Sequence, residues 1–253
     1  MGFNAGILGV IMCKQAVFDA AQRRRAQGFT LVELLVVIAI IGILAAMLAP
    51  VLSKGKNRAM SLTDINNLKE IIVATHLYAA DNTDYLPWPN WYKGDSPTRH
   101  GWLYTLDNTV AGPGQFKANT GLFWQTLRNP KLYVCPMDNT NLPLFAQRKQ
   151  QLSSYAMNGA VCGYNRTDFP VAKLGDLRPD DVAFWETDEK EPGYFNDGAN
   201  YPKEGVSTRH LNGAINAAFG GAVSYIRIDT WYIEVDDVNK NPLWCYPGST
   251  NGR

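Results

Sequence analysis

Gly28-Phe29-Thr30-Leu31-Val32-Glu33-Leu34-Leu35-Val36-Val37-Ile38-Ala39-Ile40-Ile41-Gly42-Ile43-Leu44-Ala45-Ala46-Met47-Leu48-Ala49-Pro50 is the stretch from which the rest of the chain is read. From Phe29 to Ala49 every residue is apolar or small except Thr30 and one carboxylate, Glu33. As a helix this run is about 31 Å long, enough to cross the hydrocarbon core of a bilayer. Arg23-Arg24-Arg25 stand before it, and Lys54, Lys56 and Arg58 follow. No small-x-small cleavage site follows the apolar run, so it reads as a retained anchor.

The basic run before the anchor predicts an amino-terminus in the cytoplasm and a carboxyl-terminal domain on the far side, under the positive-inside rule. Net charge is +1 over 253 residues, with +3 before Phe29 and therefore −2 in the remainder. A strongly basic surface is thereby excluded, and with it the electrostatic footprint of nucleic-acid binding. Residues 1–28 read as a leader, 29–50 as the transmembrane and assembly helix, and 51–253 as an amphipathic helix half plus one globular domain.

Beyond Pro50, the residues Val51, Leu52, Gly55, Ala59, Leu62, Ile65, Leu68, Ile72 and His76 recur at spacings of three and four. The spacing predicts one apolar helix stripe ending near Ala80, with Lys54, Lys56, Arg58, Asp64, Lys69 and Glu70 on solvated faces. Pro50 is expected to kink this helix, and Asp81-Asn82-Thr83-Asp84 to end it. An ordered aromatic loop region is expected over 85–119, and a short helix over 120–129, stopped by Pro130. Strands are expected at 131–135, 153–157, 182–186, 215–219, 222–226 and 231–235, with loops at 139–151 and 189–207. Gly220-Gly221 supplies the turn of a two-residue hairpin. The fold class is α+β: a long amino-terminal helix packed on a small antiparallel sheet with long loops.

Gly28-Phe29-Thr30-Leu31-Val32-Glu33, between a basic leader and an apolar helix, resembles the processing site of type IV pilins and type II secretion pseudopilins. The resemblance implies cleavage between Gly28 and Phe29 by a prepilin peptidase, which also methylates the new amine of Phe29. It further implies a pilin-like fold and membership of a filament of pilin-like subunits. Its other implied partner is inner-membrane assembly machinery driven by a cytoplasmic ATPase. Pro50 stands where such chains often carry a kinking proline. A lone carboxylate in a membrane helix costs about 2–3 kcal/mol, so Glu33 is expected to find a partner. The amine created at Phe29 is that partner when helices of identical subunits stagger, which makes Phe29 and Glu33 an assembly register.

Pro130 to Asp138 and Ser153 to Asn158 resemble middle motifs of a narrower group in this superfamily. Arg209-His210 through Gly220-Gly221 resembles its closing His-x9-Asp-Gly motif, with Gly220 in the aspartate's place. The turn is expected to survive that change, any ligand role of the aspartate is not, and His210 is expected to be structural.

Chemistry-bearing patterns are otherwise sparse. His76, His100 and His210 show no metal spacing, and no Cys-x-x-Cys or Gly-x-Ser-x-Gly is present. No cofactor and no enzymatic activity are expected. A domain outside the cytoplasm permits one disulfide among Cys135, Cys162 and Cys245, while Cys13 falls in the leader. Asp180, Asp181, Glu186, Asp188, Glu189 and Glu191 read as a solvated acidic face rather than a calcium loop. Trp88, Trp91, Tyr92, Trp102, Trp124 and Trp185 are expected mostly in the core or at subunit contacts. The leading expectation is a type II secretion pseudopilin in the inner membrane, crossing once, with its domain periplasmic or extracellular. The rivals are a type IV pilus subunit and a membrane-anchored carbohydrate-binding module.

Overall fold

Helix α1 runs from Leu31 to Asp81, 51 residues, and continues through Pro50 without interruption. The computed structural model describes residues 29–164 and 170–253; the leader with Gly28, Cys13 and Arg23 to Arg25 lies outside the described residues. The chain divides into two units, the first ending at Ser53 and the second running from Lys54 to Arg253.

In the first unit, every described residue is exposed, including Leu31, Ile41 and Met47. A helix this long and apolar is of a length and composition to cross a membrane. Leaving such a surface in water is unfavourable by roughly 25 cal/mol per Å² of apolar area, so it calls for lipid or protein around it.

In the second unit, α1 buries Asp64, Asn67, Leu68, Ile71, Ile72, Ala74, Thr75 and Ala79. This differs from the stripe read in the sequence at its start. Val51, Leu52 and Leu62 are exposed, because the domain covers the helix only from about Ser61 onward, while Asp64 is fully buried rather than solvated. The helix ends where expected. Asn82 and Asp84 both donate their N–H to the Ala79 carbonyl, and Thr83 and Asp84 take positive φ to turn the chain away.

Short elements follow: α2 (Trp124–Leu127), α3 (Pro143–Ala146), β1 (Tyr155–Asn158), β2 (Val182–Glu186), β3 (Ala199–Asn200), β4 (Gly213–Ala218), β5 (Val223–Arg227) and α4 (Ile228–Asp236). The strands form one sheet in the order β3-β1-β2-β4-β5. All pairings are antiparallel except the two-residue edge strand β3, which runs parallel to β1 and makes the sheet mixed. The fold is α+β, a long helix followed by this five-stranded sheet.

Both faces of the sheet are covered. One face carries Tyr155, Met157, Phe184, Ile215 and Ala217 and shares a core with Leu68, Ile71 and Ile72 of α1. The other carries Val182, Trp185 and Ala214 and packs on Trp231 and Val235 of α4. Val182 and Trp185 share a face despite their odd spacing because the β2–β4 register shifts between Val182 and Phe184. Residues of β2 beyond the bulge then alternate, so Phe184 and Glu186 both face the α1 side.

Two expected strands are helical instead. Residues 130–133 form a 3₁₀ turn, opened by Asn129, whose side chain accepts the Lys131 N–H, and by Pro130 at its first position. Residues 231–235 fall in α4, where Trp231 and Val235, four apart, land on one buried side. The expected loops carry some structure of their own: α3 falls in 139–151, and β3 with two 3₁₀ turns falls in 189–207.

The hairpin turn is also longer than read. Ala218 donates to Ala222 and Gly221 donates to Ala218, giving a three-residue loop of Phe219, Gly220 and Gly221 in which only Gly221 has positive φ. Gly220 is needed for a different reason: a Cβ there would lie 2.6 Å from the Pro179 carbonyl oxygen.

The aromatic region 85–119 is ordered by one buried amide. Asn90 donates to the Tyr104 carbonyl at 2.9 Å and accepts the Leu103 N–H at 3.0 Å. Trp88, Trp91, Trp102 and Trp185 are buried, so their rings are core rather than a sugar-stacking surface. Trp102 donates its indole N–H to the Gly198 carbonyl and packs edge-on against Phe184.

Candidate functional site

At the start of α1, Thr30 and Glu33 satisfy each other. The Thr30 N–H and hydroxyl both donate to Glu33 Oε2 at 2.8 Å, and the Glu33 N–H donates to Thr30 Oγ1 at 3.2 Å. This reciprocal capping box supplies two of the four groups that a helix start leaves unmet. Phe29, just outside it, is 73% exposed.

The second place is a buried polar cluster between α1 and the sheet, built from four distant segments. Ser61 and Asp64 lie three apart on the domain-facing side of α1. Cys135 follows the 3₁₀ turn at Pro130, and Asn67 docks α1 there by donating to the carbonyls of Lys131 and Val134. Glu186 ends β2. His210 sits in the turn before β4, where Leu211 and Asn212 both have positive φ and the His210 N–H reaches the Gly213 carbonyl.

Nε2 of His210 lies 3.4 Å from Asp64 Oδ2, 3.3 Å from Glu186 Oε2 and 3.4 Å from Cys135 Sγ. These four ligand-type atoms all lie within 4.8 Å of one another, and all four residues are buried. Nδ1 of His210 is 2.9 Å from the Ser61 hydroxyl. Further groups hold the two carboxylates, including the Glu186 oxygen that faces His210. Tyr155 donates its hydroxyl to Asp64 Oδ1, Ile215 N–H donates to Glu186 Oε2 at 2.8 Å, and Arg209 donates to Glu186 Oε1 at 3.0 Å. Asp64 Oδ2 alone has no hydrogen-bond partner.

Arg209 also links the cluster to a buried ion pair beside it. Arg148 donates twice to Asp138, at 2.6 and 3.0 Å, and Ser154 adds a third bond.

The electrostatics follow from burial without water. Burial, then the neighbouring Glu186, pushes the Asp64 carboxyl up. Burial raises Glu186 too, but His210 and Arg209 outweigh it and hold that carboxyl low. Burial followed by the two carboxylates drives the Cys135 thiol up. For the imidazole of His210, burial acts downward, yet Asp64 and Glu186 overcome it and hold the ring up at about 9. A groove of about 690 Å³ opens beside the cluster, lined by Ser61, Ile65, Met137, Arg209 and His210 among others.

Of the residues singled out in the sequence, the structure brings His210 and Cys135 together, and leaves Cys162 and Cys245 elsewhere in the core. All three cysteines are buried thiols, and no disulfide joins them. Gly220 and Gly221 form the turn at the far end of β4. His76 is half-buried and bonds the Phe219 carbonyl through Nε2 at 2.6 Å, while His100 is exposed and meets Thr105.

Of the acidic group 180–191, Asp180 and Glu191 are exposed and Asp188 and Glu189 partly so, but two members are not solvated. Asp181, just before β2, is buried against Arg178, and Glu186, the last residue of β2, is buried in the cluster. Asp64, Glu186, Ser61 and Tyr155 were not legible as site residues. Asp64 had one signal: it falls seven before Ile71 and four before Leu68, in phase with the buried side.

A long helix with an exposed apolar half and a sheet packed on its other half is a pilin-like architecture. Residues 23–49 match the family described as the prokaryotic N-terminal methylation motif. The chain is 45% identical over 62 residues to the type IV wide pilus major component PilA4 of Thermus thermophilus, covering 24% of this chain and 47% of that protein. It is 39% identical over 64 residues to type II secretion system core protein G of Pseudomonas aeruginosa, and likewise to that of Aeromonas hydrophila, covering 25% of this chain and 45% of each. The chain thus spans less than half the length of the curated relatives it matches. No solved structure matches it. Through its amino-terminal segment the chain is similar to type IV pilus and type II secretion core components, and it carries the N-terminal methylation motif.

Proposed function

We propose that this chain is a structural subunit of a pilus-like filament, a pseudopilin of a type II secretion apparatus. In this reading a prepilin peptidase cuts between Gly28 and Phe29 and methylates Phe29. The helix then resides in the inner membrane, amino-terminus in the cytoplasm, until assembly machinery draws it into the filament. The observation that carries the reading is the exposed apolar helix from Leu31 onward, joined to the methylation motif at residues 23–49.

The capping box gives Glu33 a partner before assembly. In the filament, the Phe29 amine of a neighbouring subunit replaces Thr30 as that partner, and Glu33 sets the stagger between helices. Pro50 leaves one backbone carbonyl of α1 without its helical donor, a place where the helix can bend as it packs.

Mass spectrometry of the mature protein tests the reading. An amino-terminal N-methyl-Phe29 is expected, and an intact leader would sink it. Glu33→Val is expected to be processed normally and to drop out of filaments, whereas Thr30→Val, which removes only the hydroxyl bonds of the cap, is expected to assemble. A type IV pilus subunit is the second reading, favoured by the identity to PilA4. Deleting the gene separates the two: loss of protein secretion without loss of surface filaments supports the secretion apparatus, and the reverse supports the pilus.

A further inference from the structure

We infer that Asp64, Cys135, Glu186 and His210 form a closed, four-ligand site for a zinc ion that rivets α1 to the sheet. The first argument is hydrogen-bond accounting. The Ser61 hydroxyl lies 3.1 Å from the Asn57 carbonyl and 2.9 Å from His210 Nδ1, which fixes how the imidazole is turned. With Nδ1 turned to Ser61, Nε2 is the nitrogen that faces two carboxylate oxygens and a sulfur. If protonated, Nε2 would have a single hydrogen for three acceptors, each at 3.3–3.4 Å and none at a short distance. Asp64 Oδ2, fully buried and without any donor, points into the same space.

The second argument is metric. In tetrahedral zinc, bond lengths of 2.0–2.3 Å to nitrogen, oxygen and sulfur place ligand atoms about 3.3–3.6 Å apart. The three distances from Nε2 have this size, and the whole set lies within 4.8 Å. One thiolate, one imidazole and two carboxylates suit zinc rather than calcium or magnesium, which take oxygen alone.

The third argument is the shell behind the ligands. Ser61 orients the imidazole, Tyr155 and Arg209 hold the far oxygens of Asp64 and Glu186, Ile215 steadies the Glu186 oxygen that faces His210, and Arg209 answers the one net negative charge left by zinc, a thiolate and two carboxylates. Loading releases to solvent the Cys135 thiol proton together with any proton held on His210 Nε2 or the Asp64 carboxyl, and the groove at His210 gives the ion a way in. With four protein ligands no position is left for a substrate, so the ion is structural.

The test uses the full chain, purified in detergent, stripped with a chelator and reloaded. Zinc titration is expected to saturate at one ion per chain and to raise the melting temperature. Cobalt(II) in its place is expected to give the visible bands of tetrahedral geometry and a thiolate charge-transfer band. That band is expected to vanish in Cys135→Ser and to persist in Cys162→Ser, which makes the same change at a buried thiol outside the cluster. No saturable binding by the wild-type chain, or cobalt bands that survive Cys135→Ser, would overturn the assignment. The wild-type titration decides the matter even where Cys135→Ser does not fold.

Discussion

The Ser61 hydroxyl on α1 lies 2.9 Å from Nδ1 of His210, 149 residues further along the chain. It is the contact that fixes which imidazole nitrogen faces Asp64, Cys135 and Glu186. Removing it frees the ring to turn and to exchange tautomers, while leaving every ligand in place. Ser61→Ala is therefore expected to keep the fold and to weaken zinc binding by about 10–100-fold, the range for a lost partner behind a metal ligand. Competition against a chromophoric chelator measures it, and unchanged affinity would remove Ser61 from the site.

Asp138 and Arg148 form the other buried polar unit, with both side chains almost wholly out of water. Truncating one partner strands the other charge, so Asp138→Asn is expected to cost about 3–5 kcal/mol in urea unfolding. Burial alone would raise the Asp138 carboxyl, but Arg148 and Arg209 outweigh it and hold it below the usual carboxylate range. A carboxyl lowered in the folded state contributes stability above its unfolded value of about 3.9 and loses it as pH falls through the folded one. The wild-type urea midpoint should drop below about pH 4, and Asp138→Asn should flatten that drop.

Gly220 is held by Pro179 rather than by the needs of the turn. Gly220→Asp creates the Asp-Gly of the related motif, yet its Cβ would press on the Pro179 carbonyl at 2.6 Å. We expect a loss of about 1–3 kcal/mol, the usual cost of overpacking, read in thermal melts. A variant as stable as the parent would show that the β4–β5 turn can shift.

The tryptophans of the aromatic region should behave as core. Trp88→Ala and Trp91→Ala remove buried rings and are expected to cost about 3–5 kcal/mol each. Retention on insoluble polysaccharide by the folded parent, lost in either variant at full stability, would instead revive the carbohydrate-binding reading.

What could be read before the structure depended on whether a pattern was local. The helix from the apolar run to Asp81 and β2 at 182–186 lie where they were expected, and the β4–β5 hairpin is present with its strands shifted by one or two residues around a longer turn. Residues 130–133 and 231–235 look strand-like in composition, but an Asn-Pro start and the burial of Trp231 with Val235 make them helical. The sequence resemblance pointed to His210 but not to its company. Asp64 and Glu186 reach it from positions 146 and 24 residues away, and no spacing rule joins ligands that only the folded chain gathers. Both were read as solvated charges because charge is usually outside; here the oxygens are satisfied by groups from other segments.

The scattering of the cluster along the chain also sets a timetable. Asp64 waits for Tyr155, 91 residues later, and Ser61 waits for His210. Contacts of such separation close late, since the loop between them must be ordered before they give anything back. At ordinary rates of synthesis, roughly 7–30 s pass between the emergence of residue 61 and that of residue 210. Asn67 is met once Lys131 and Val134 have emerged and Asp64 once Tyr155 has, but until residue 210 the Ser61 side of the helix lacks its histidine. A growing chain cut short before residue 210 would therefore carry a polar, unfinished helix side, a mark by which quality control can tell a partial subunit from a finished one.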